Sequence, residues 1–547
     1  MDTKTSTDLD INDIFDEITF SEQKNCDEGY EEGLIKGIDD GKIDGYHLGY
    51  HRGIELGMEI VKMNCKTTQV KLHLTKLIQT FESGRSLANS NMTDAFTKQL
   101  WSKHVPKAIQ VELNTQESLK TFIKHYFDIL NNETPVEFAQ NYPNLISYFN
   151  NNLEYVITND KNIVLSLEKL ENIFTERNSL SKSDFKFKQC MSKKKLHEVK
   201  LTSNVASSLC NLTKSKHIVD IGGGKGYLST ILALQHSLKV LSLDSSDFKT
   251  CGAAKMSKRM ATFWRDGTFN KLKGKCPESN KEIRAKFVET HRKLELAYIT
   301  PKTKLKTILE KNFDQEIIEK ITMTGLHTCG DLSPTCLKLF VNDSDIKSVV
   351  NFGCCYNLIT EKFLYNSKDD IRGENDKDFG FPMSDFLKEK KFHIGEQSRM
   401  VASYSLEKLQ STMSENAMLH TSMFFRAILQ TILEKNLCLK ERVKIGKLAY
   451  KIKNFHEYIT KANEMCNLNI NMDEKDAEEL YEKYMSEKPK FIALFFLRVT
   501  LAPIIESIIL LDRYLFLLEN GIENAYLVKI FDLKISPRGF GIVAWRD

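Results

Sequence analysis

The sequence lacks the signals that direct a chain out of the cell or into a membrane. Residues 1–28 are acidic, contain no apolar core of a secretory signal and lack the basic residues of a transit peptide. The most apolar stretch, 499–511, carries Glu506 and is bounded by Arg498 and Asp512, so it is too short and too charged to span a bilayer. We predict a buried helix there, a cytoplasmic or nuclear location and no membrane partner.

The twelve cysteines contain no C-x-x-C pair, and in a long chain of this kind they are expected to be reduced thiols. Cys354 and Cys355 are the only close neighbours along the chain. Two adjacent residues of an extended strand point to opposite faces, which is poor geometry for chelating one zinc ion. We therefore predict no metal site.

The formal net charge is only +4, which excludes a histone-like polyelectrolyte, and we expect no DNA partner. One segment departs from this balance, because residues 249–311 hold 17 Lys/Arg against 6 Asp/Glu. Phe263, Trp264, Phe269 and Phe287 are interleaved with these charges. The composition fits RNA, with the charges on phosphates and the rings on bases, and it fits a solvated insert equally well.

The pattern of apolar, glycine and turn residues divides the chain into three predicted regions. These are a glycine-periodic helical segment (1–82), a helical region (83–182) and an α/β domain (183–547) with a helical insert at about 398–520. In the middle region, helices are predicted at 117–130 and 164–175. Short β-branched runs alternate with helices in the α/β domain, at 217–222, 238–244, 321–327 and 348–353, and the runs 526–532 and 539–546 predict a terminal hairpin. The predicted fold class is a Rossmann-like, mostly parallel sheet with helical insertions.

Glycine recurs at every fourth position near the N-terminus, at Gly29, Gly33, Gly37, Gly41, Gly45, Gly49, Gly53 and Gly57. The period excludes collagen and the interspersed charges exclude a membrane dimer motif, so a helix with a smooth strip is predicted. Each glycine costs a helix about 1 kcal/mol relative to alanine, which close packing on a second helix would offset. That helix belongs either to a partner protein or to this chain.

The segment 13–37 and the ladder after it resemble the Yae–Lto family of deca-glycine-repeat proteins over residues 11–82. The resemblance implies a heterodimeric adaptor that helps deliver cytosolic iron–sulfur clusters to a ribosome-recycling ATPase. A Yae-type partner is therefore expected to bind the glycine ladder.

The run IVDIGGGKGYLS (218–229) places an apolar strand before Asp220 and then Gly222, Gly224 and Gly226. Bare backbone lets a nucleotide-like ligand lie against the following helix N-terminus at the carboxyl edge of the sheet. Dinucleotide folds use G-x-G-x-x-G and P-loops use G-x-x-x-x-G-K-[ST], whereas D-x-G-x-G-x-G is typical of methyltransferases that bind S-adenosylmethionine. Asp244, ending the next strand, is predicted to accept the ribose hydroxyl hydrogen bonds. Asp220 is predicted to orient the loop and to reach the ligand's ammonium group through its carboxylate or a water.

The segments that follow two later strands, HTCGDLS (327–333) and GCCYNL (353–358), are predicted to line the methyl-acceptor pocket. His327 and Asp331 are candidates to remove the acceptor's proton, and Cys355 is a candidate thiolate methyl carrier. The other candidates to line the pocket are Cys329, Cys354, Tyr356 and Asn357. Alternatively, Asp331 caps the next helix, His327 is a core residue and the cysteines are small buried fillers.

Several motifs resemble the family of methyltransferase-like protein 25 over about residues 115–547: MSKKKLHEV (191–199), the glycine loop, GLHTCGDLSPTCLKLF (325–340), GCCYNLIT (353–360), GFPMSDFLK (380–388), LAPIIESIILLDRYLFLLE (501–519) and FDLKISPR (531–538). The resemblance implies an S-adenosylmethionine-dependent methyltransferase and leaves its methyl acceptor unassigned, so RNA is expected as an acceptor only from the basic segment. The glycine ladder motivates a second hypothesis, in which the chain is an adaptor in iron–sulfur protein maturation and its methyltransferase-like domain is not catalytic.

Overall fold

The computed structural model describes residues 43–183, 191–246, 252–257, 260, 287–313, 316–363, 378–412, 417–436, 445, 452 and 454–547. The chain divides into two units, Met1–Val70 and Lys71–Asp547. Helix α1, Ile43–Ala88, contains the last four glycines of the ladder, which confirms their helical prediction. The first four glycines lie outside the described residues, and the Yae-type partner stays a prediction.

The second unit is built on an eight-stranded, mostly parallel sheet, which confirms the predicted fold class. Its strands are β1 Val164–Ser166, β2 His217–Ile221, β3 Lys239–Asp244, β4 Arg292–Leu296, β5 Ile321–Cys329, β6 Ile346–Cys354, β7 Asn524–Lys529 and β8 Phe540–Trp545. The spatial order is β1-β7-β8-β6-β5-β2-β3-β4. Only β8 runs antiparallel to its neighbours, β6 and β7, which confirms the predicted terminal hairpin.

The chain leaves β2 toward β3 and β4 on one side and returns to β5 on the other. The strand order therefore reverses between β2 and β5, and ligands of open α/β sheets bind outside the carboxyl ends of strands at such a point. The predicted strands at 217–222, 238–244, 321–327 and 348–353 are confirmed within two residues at each end.

Two predictions about the sheet need correction. Residues 164–175 were expected to form one helix, but Val164–Ser166 form β1, which pairs parallel to Leu527–Lys529 of β7, and the helix begins only at Leu167. Ser166 ends the strand by accepting a hydrogen bond from the Lys169 N–H, as an N-cap does. Strand β4 was not predicted, because Arg292–Leu296 is short, holds only two apolar residues and lies inside the basic segment.

Helices of the second unit cover the sheet and extend from it. Before the glycine loop they are α2 Leu100–His104, α3 Lys107–Glu112, α4 Gln116–Leu130, α5 Val136–Asn141, α6 Pro143–Leu153, α7 Leu167–Glu176 and α8 Lys193–Thr213. After the loop come α9 Tyr227–His236, α10 Leu305–Asn312, α11 Leu332–Asn342, α12 Asp385–Glu389, α13 Glu396–Val401, α14 Leu406–Thr412, α15 Ala417–Asn436, α16 Phe455–Cys466, α17 Glu474–Met485, α18 Lys488–Val499 and α19 Ala502–Glu519. Helix α8 packs on β5 and β6, and α11 packs between these strands and α19.

The apolar helices α18 and α19 form much of the core, which confirms the buried helix predicted near 499–511. Each begins with a proline in its first turn, where the missing N–H has no helical partner to lose. The stretch Lys488–Glu519 is long and apolar enough to cross a membrane by length and composition alone, but 89% of its most apolar window is buried inside the protein.

Candidate functional site

The glycine loop joins β2 to α9 through three left-handed residues. Gly222, Gly224 and Gly226 have φ of 70°, 54° and 68°, a region that side chains disfavour, so the three predicted glycines are needed for conformation. Gly226 occupies the N-cap position of α9. Gly222, Gly223 and Gly224 are half-buried, Lys225 is exposed and Gly226 is buried, so most of the loop's backbone is accessible at the carboxyl edge of the sheet.

The side chains of Ser242 and Arg292 lie close to the backbone of this loop, and neither was predicted there. A Cβ on Gly223 would lie 2.0 Å from the Ser242 Oγ, and a Cβ on Gly226 would lie 2.1 Å from the Arg292 Nη2. Arg292 is buried in β4, and its Nε donates to the Ser229 Oγ at 2.8 Å. No local pattern distinguishes Arg292 from the other cations of the basic segment, so only the sheet reveals its place beneath the loop.

Asp244 lies beside the loop, where it was predicted. Its Oδ2 accepts a hydrogen bond from the Gly224 N–H at 3.0 Å, and its Oδ1 accepts one from the Ser246 N–H at 2.9 Å. The carboxylate thus connects the end of β3 to the middle of the loop. Each carboxylate oxygen has two lone pairs and can accept more than one hydrogen bond, including bonds from a ligand's hydroxyls.

Asp220 lies beneath the loop rather than in it. Its side chain is 1% exposed, and its Oδ2 has no hydrogen-bond partner among the described residues. Burial raises the pKa of Asp220 to about 7, although the nearby Arg292 and hydrogen bonds from Ser229 oppose the shift. This position fits the predicted role in orienting the loop.

On the acceptor side, the predicted His327 is paired with Glu198, a residue for which no role was predicted. The His327 Nε2 lies 3.3 Å from the Glu198 Oε2, and the His327 side chain is 41% exposed. Glu198 is buried and also accepts from the Ser536 hydroxyl at 2.7 Å. Burial opposes ionisation, but the bonds from His327 and Ser536 prevail and lower the pKa of Glu198.

A β-bulge turns His327 toward this carboxylate. The β5–β6 register shifts between Gly325 and Thr328, with one extra residue on β5. Bulges re-aim side chains near active sites, and no sequence period indicates this one. The arrangement, an accessible imidazole held by a buried carboxylate, is typical of a general base and its orienting partner.

Asp331 is bonded to a different segment from His327 and Glu198. Its Oδ1 and Oδ2 accept from the Thr360 N–H and hydroxyl, each at 2.8 Å. Although it occupies the N-cap position of α11, its side chain makes no capping bond, so the alternative of a helix cap is wrong. The contacts give Asp331 a positioning role for the segment at Thr360, and its predicted catalytic role has no support in this geometry.

The cysteines are arranged differently from the prediction. The sulfur atoms of Cys329, Cys354 and Cys355 all lie within 4.8 Å of one another. The argument that adjacent cysteines point to opposite faces is wrong here, because Cys355 leaves the strand in a left-handed conformation with φ of 51°. The neighbouring thiols and burial raise the pKa of Cys354, and burial chiefly raises that of Cys355, which disfavours a free thiolate methyl carrier.

Tyr356 and Asn357 differ in their surroundings. Tyr356 is buried, and its hydroxyl donates a hydrogen bond to the Glu506 Oε1 at 2.9 Å. Its role is therefore to hold the segment after Cys355 in place, not to line the pocket. Asn357 is exposed at the edge, where a pocket-lining residue is expected. Glu506 also accepts from the Arg538 Nη1 at 2.7 Å, which neutralises its charge in the core.

The basic segment contributes little described structure beyond β4 and α10. Phe263, Trp264 and Phe269 lie outside the described residues, and the Phe287 ring stacks on His291 with centroids 3.8 Å apart. RNA contact through these aromatics stays a prediction.

Comparison with known proteins agrees with the geometry. Residues 194–362 match the model of a methyltransferase domain family, a range that includes the glycine loop, Asp244, His327 and the three cysteines. The chain is 25% identical over 590 aligned positions to the probable methyltransferase-like protein 25 of Homo sapiens, an alignment that covers 87% of this chain and 97% of that protein. It is 28% identical over 466 positions to the probable methyltransferase-like protein 25 of Mus musculus, covering 65% and 75% respectively. The matched domain, the names of these relatives and the Rossmann-like sheet together support a methyltransferase.

Proposed function

We propose that the chain is an S-adenosylmethionine-dependent methyltransferase whose cofactor lies on the loop from Asp220 to Gly226. One observation carries the proposal: three left-handed glycines follow β2 at the switch point of the sheet, and the Asp244 carboxylate at the end of β3 is 3.0 Å from the Gly224 N–H. This combination of bare backbone and an adjacent carboxylate suits a nucleoside with free ribose hydroxyls.

The residues present fit such a cofactor. Among the described residues, a Cβ on Gly224 would meet only the Gly222 carbonyl oxygen, at 3.8 Å, so this part of the chain leaves space beside the loop. Asp244 would accept hydrogen bonds from the ribose, and the N–H groups at the start of α9 point to the same edge. Gly222 lies against the acceptor side, since a Cβ there would be 3.7 Å from the His327 carbonyl oxygen.

When bound, S-adenosylmethionine supplies an electrophilic methyl group on a sulfonium sulfur. The chain's own part is to position the acceptor and to remove its proton. His327 accepts that proton at an imidazole nitrogen, and Glu198 holds the ring and stabilises the positive charge that it gains. Because Glu198 is buried and bonded to Ser536, its carboxylate is fixed before the reaction begins.

RNA is the acceptor class that we propose to test first, because the basic segment continues into β4 at the edge of the same sheet. Extract from cells that lack this protein is incubated with the purified chain and methyl-labelled cofactor, and RNA is then separated from protein. Label in RNA supports this acceptor, whereas label in the protein fraction alone contradicts it.

Cofactor binding is tested by calorimetric titration with S-adenosylhomocysteine. The wild-type chain is expected to bind one equivalent, and Gly224→Ala is expected to bind at least about tenfold more weakly, because alanine disfavours the left-handed conformation and fills the space beside the loop. Gly521→Ala is the matched control, since Gly521 also has a positive φ, of 73°, and a Cβ there would meet no described residue within 4 Å. The proposal fails if the wild type does not bind, or if the two variants bind equally well.

A further inference from the structure

Three thiols meet at the carboxyl edge of the sheet outside the proposed cofactor loop. Cys329 and Cys354 end the parallel strands β5 and β6 and are register partners, and their sulfurs are 3.3 Å apart. Cys355 follows Cys354 in a left-handed conformation, which brings its sulfur back to the other two. All three cysteines are free of disulfides.

The spacing suits a single soft metal ion. Tetrahedral zinc has Zn–S bonds of about 2.3 Å, which separates its sulfur ligands by roughly 3.8 Å. The sulfurs here, all within 4.8 Å of one another, need only small rotations to reach that geometry. In an iron–sulfur cluster the cysteine sulfurs are distributed over two or more iron atoms, and sulfurs on different irons lie further apart, so one ion fits three mutually close sulfurs better than a cluster does.

Other potential ligands nearby are engaged elsewhere. Asp331 is bonded to Thr360, and His327 to Glu198. Within the described part of the chain, no His, Asp or Glu ligand atom belongs to the group of three sulfurs. Cys329 is exposed, so a fourth coordination position would open to solvent, as in zinc sites that keep one place for water or substrate.

The charge of the surroundings favours such a site. Three thiolates and a divalent ion carry one net negative charge, and a buried cation lies next to them: a Cβ on Gly353 would be 2.0 Å from the Arg513 Nη1. Arg513 is 1% exposed, and its Nε and Nη2 have no hydrogen-bond partner among the described residues. Arg538 lies nearby, with its guanidinium 5.0 Å from the centre of the Tyr356 ring. A neighbouring anion would offset the cost of burying Arg513.

We propose that Cys329, Cys354 and Cys355 bind one zinc-type divalent ion as three thiolates, with the fourth position open at the acceptor edge. Binding forms three metal–sulfur bonds and releases three thiol protons to solvent, and no electron is transferred. The metal site is independent of the proposed cofactor loop, so either can fail without the other.

The experiment titrates cobalt(II) into the reduced, chelator-treated full-length protein and records the thiolate-to-cobalt charge-transfer absorption. One equivalent is expected to produce the band, and zinc is expected to remove it by displacement. Cys329→Ser and Cys355→Ser should each weaken cobalt binding at least about tenfold. Cys65→Ser, which removes an exposed thiol on α1, is the control and should leave the band unchanged.

Three results would overturn the proposal: no charge-transfer band in the wild type, an unchanged band in both Cys329→Ser and Cys355→Ser, or stoichiometric iron with a cluster spectrum in the protein as purified. A Cys329–Cys354 disulfide that forms in the presence of zinc would also count against it, and mass spectrometry detects this as the loss of two hydrogen atoms. Circular dichroism of each variant separates lost metal binding from lost folding. If a variant does not fold, the wild-type titration alone tests the proposal.

Discussion

The two halves of the sheet's carboxyl edge are built in different ways. In the cofactor half, after β2 and β3, the backbone forms the site: left-handed glycines and the Asp244 bond to the Gly224 N–H. In the acceptor half, after β5 and β6, side chains from distant segments meet, as when Ser536 and His327 both bind Glu198. The first half should therefore be sensitive to added atoms, and the second to lost charges and hydrogen bonds.

The largest effect is expected for Gly223→Ala in the cofactor half. Its Cβ would lie 2.0 Å from the Ser242 Oγ and 3.0 Å from the Asp220 Oδ2, so the loop must shift. Affinity for S-adenosylhomocysteine should fall at least about 100-fold, which corresponds to roughly 2.7 kcal/mol. Calorimetry measures the loss.

The double variant Gly223→Ala, Ser242→Gly sharpens this test, because it removes the side chain that the new methyl group meets. It should recover part of the affinity that the single variant loses. If Gly223→Ala binds S-adenosylhomocysteine as tightly as the wild type, the bare backbone of the loop does not hold the cofactor.

The next effect is expected for Glu198→Gln in the acceptor half. Glutamine keeps a hydrogen bond to Ser536 but removes the charge that stabilises protonated His327, so methyl transfer to extract should fall on the order of 50-fold. Affinity for S-adenosylhomocysteine should stay within about twofold, because the described bonds and ion pairs of Glu198 go to Ser536, His327 and Lys194 and not to the cofactor loop. Glu479→Gln, on an exposed helix face, is the control. Unchanged transfer with Glu198→Gln would remove this pair from the mechanism.

A smaller effect concerns pH. Asp220 ionises near its ordinary pKa of 3.8 in the unfolded chain and near about 7 when folded, so the folded state binds more protons between these values. Its contribution to the free energy of unfolding is therefore present at low pH and is lost as the pH rises toward 7. Between pH 5 and pH 8, the free energy of unfolding of the wild type should therefore fall by on the order of 2 kcal/mol more than that of Asp220→Asn.

Urea unfolding at the two pH values measures the difference. The pH dependence that Glu198 contributes to the free energy of unfolding has the opposite sign. Its lowered pKa stabilises the fold above its ordinary pKa of 4.5, and that contribution is lost in acid. Parallel pH profiles for wild type and Asp220→Asn would contradict the assignment of a raised pKa to Asp220.

The smallest effect is expected for Tyr356→Phe, which removes the hydroxyl bonded to Glu506. The free energy of unfolding should fall by about 1 kcal/mol, since Glu506 keeps its bond to Arg538. Urea unfolding at neutral pH measures this. A loss above about 3 kcal/mol would mean that Tyr356 does more than support the site.

The cofactor half could be predicted from sequence because its determinants are local. The 28 residues from 217 to 244 contain a β-branched run, three glycines at fixed spacing and an acidic residue at the end of the next strand. These features predict, in turn, a strand, a left-handed loop and a carboxylate at the edge of the sheet. The same reasoning predicted the strands β2, β3, β5 and β6 and the terminal hairpin.

The acceptor half could not be predicted in the same way, because its contacts join residues far apart in the chain. Glu198 binds Ser536 across more than 300 residues, and the β5 bulge and the turn at Cys355 leave no periodic signal. The strand Val164–Ser166 was missed for the same reason, since its partner β7 begins at Asn524 and its own sequence continues a helical pattern.

The most direct test is a structure of the protein determined with S-adenosylhomocysteine. We expect the nucleoside to lie beside Gly222, Gly224 and Gly226, with its ribose hydroxyls bonded to the Asp244 carboxylate and its sulfur facing the side of the edge that holds His327. A nucleoside bound elsewhere, or a ribose that makes no contact with Asp244, would contradict the account.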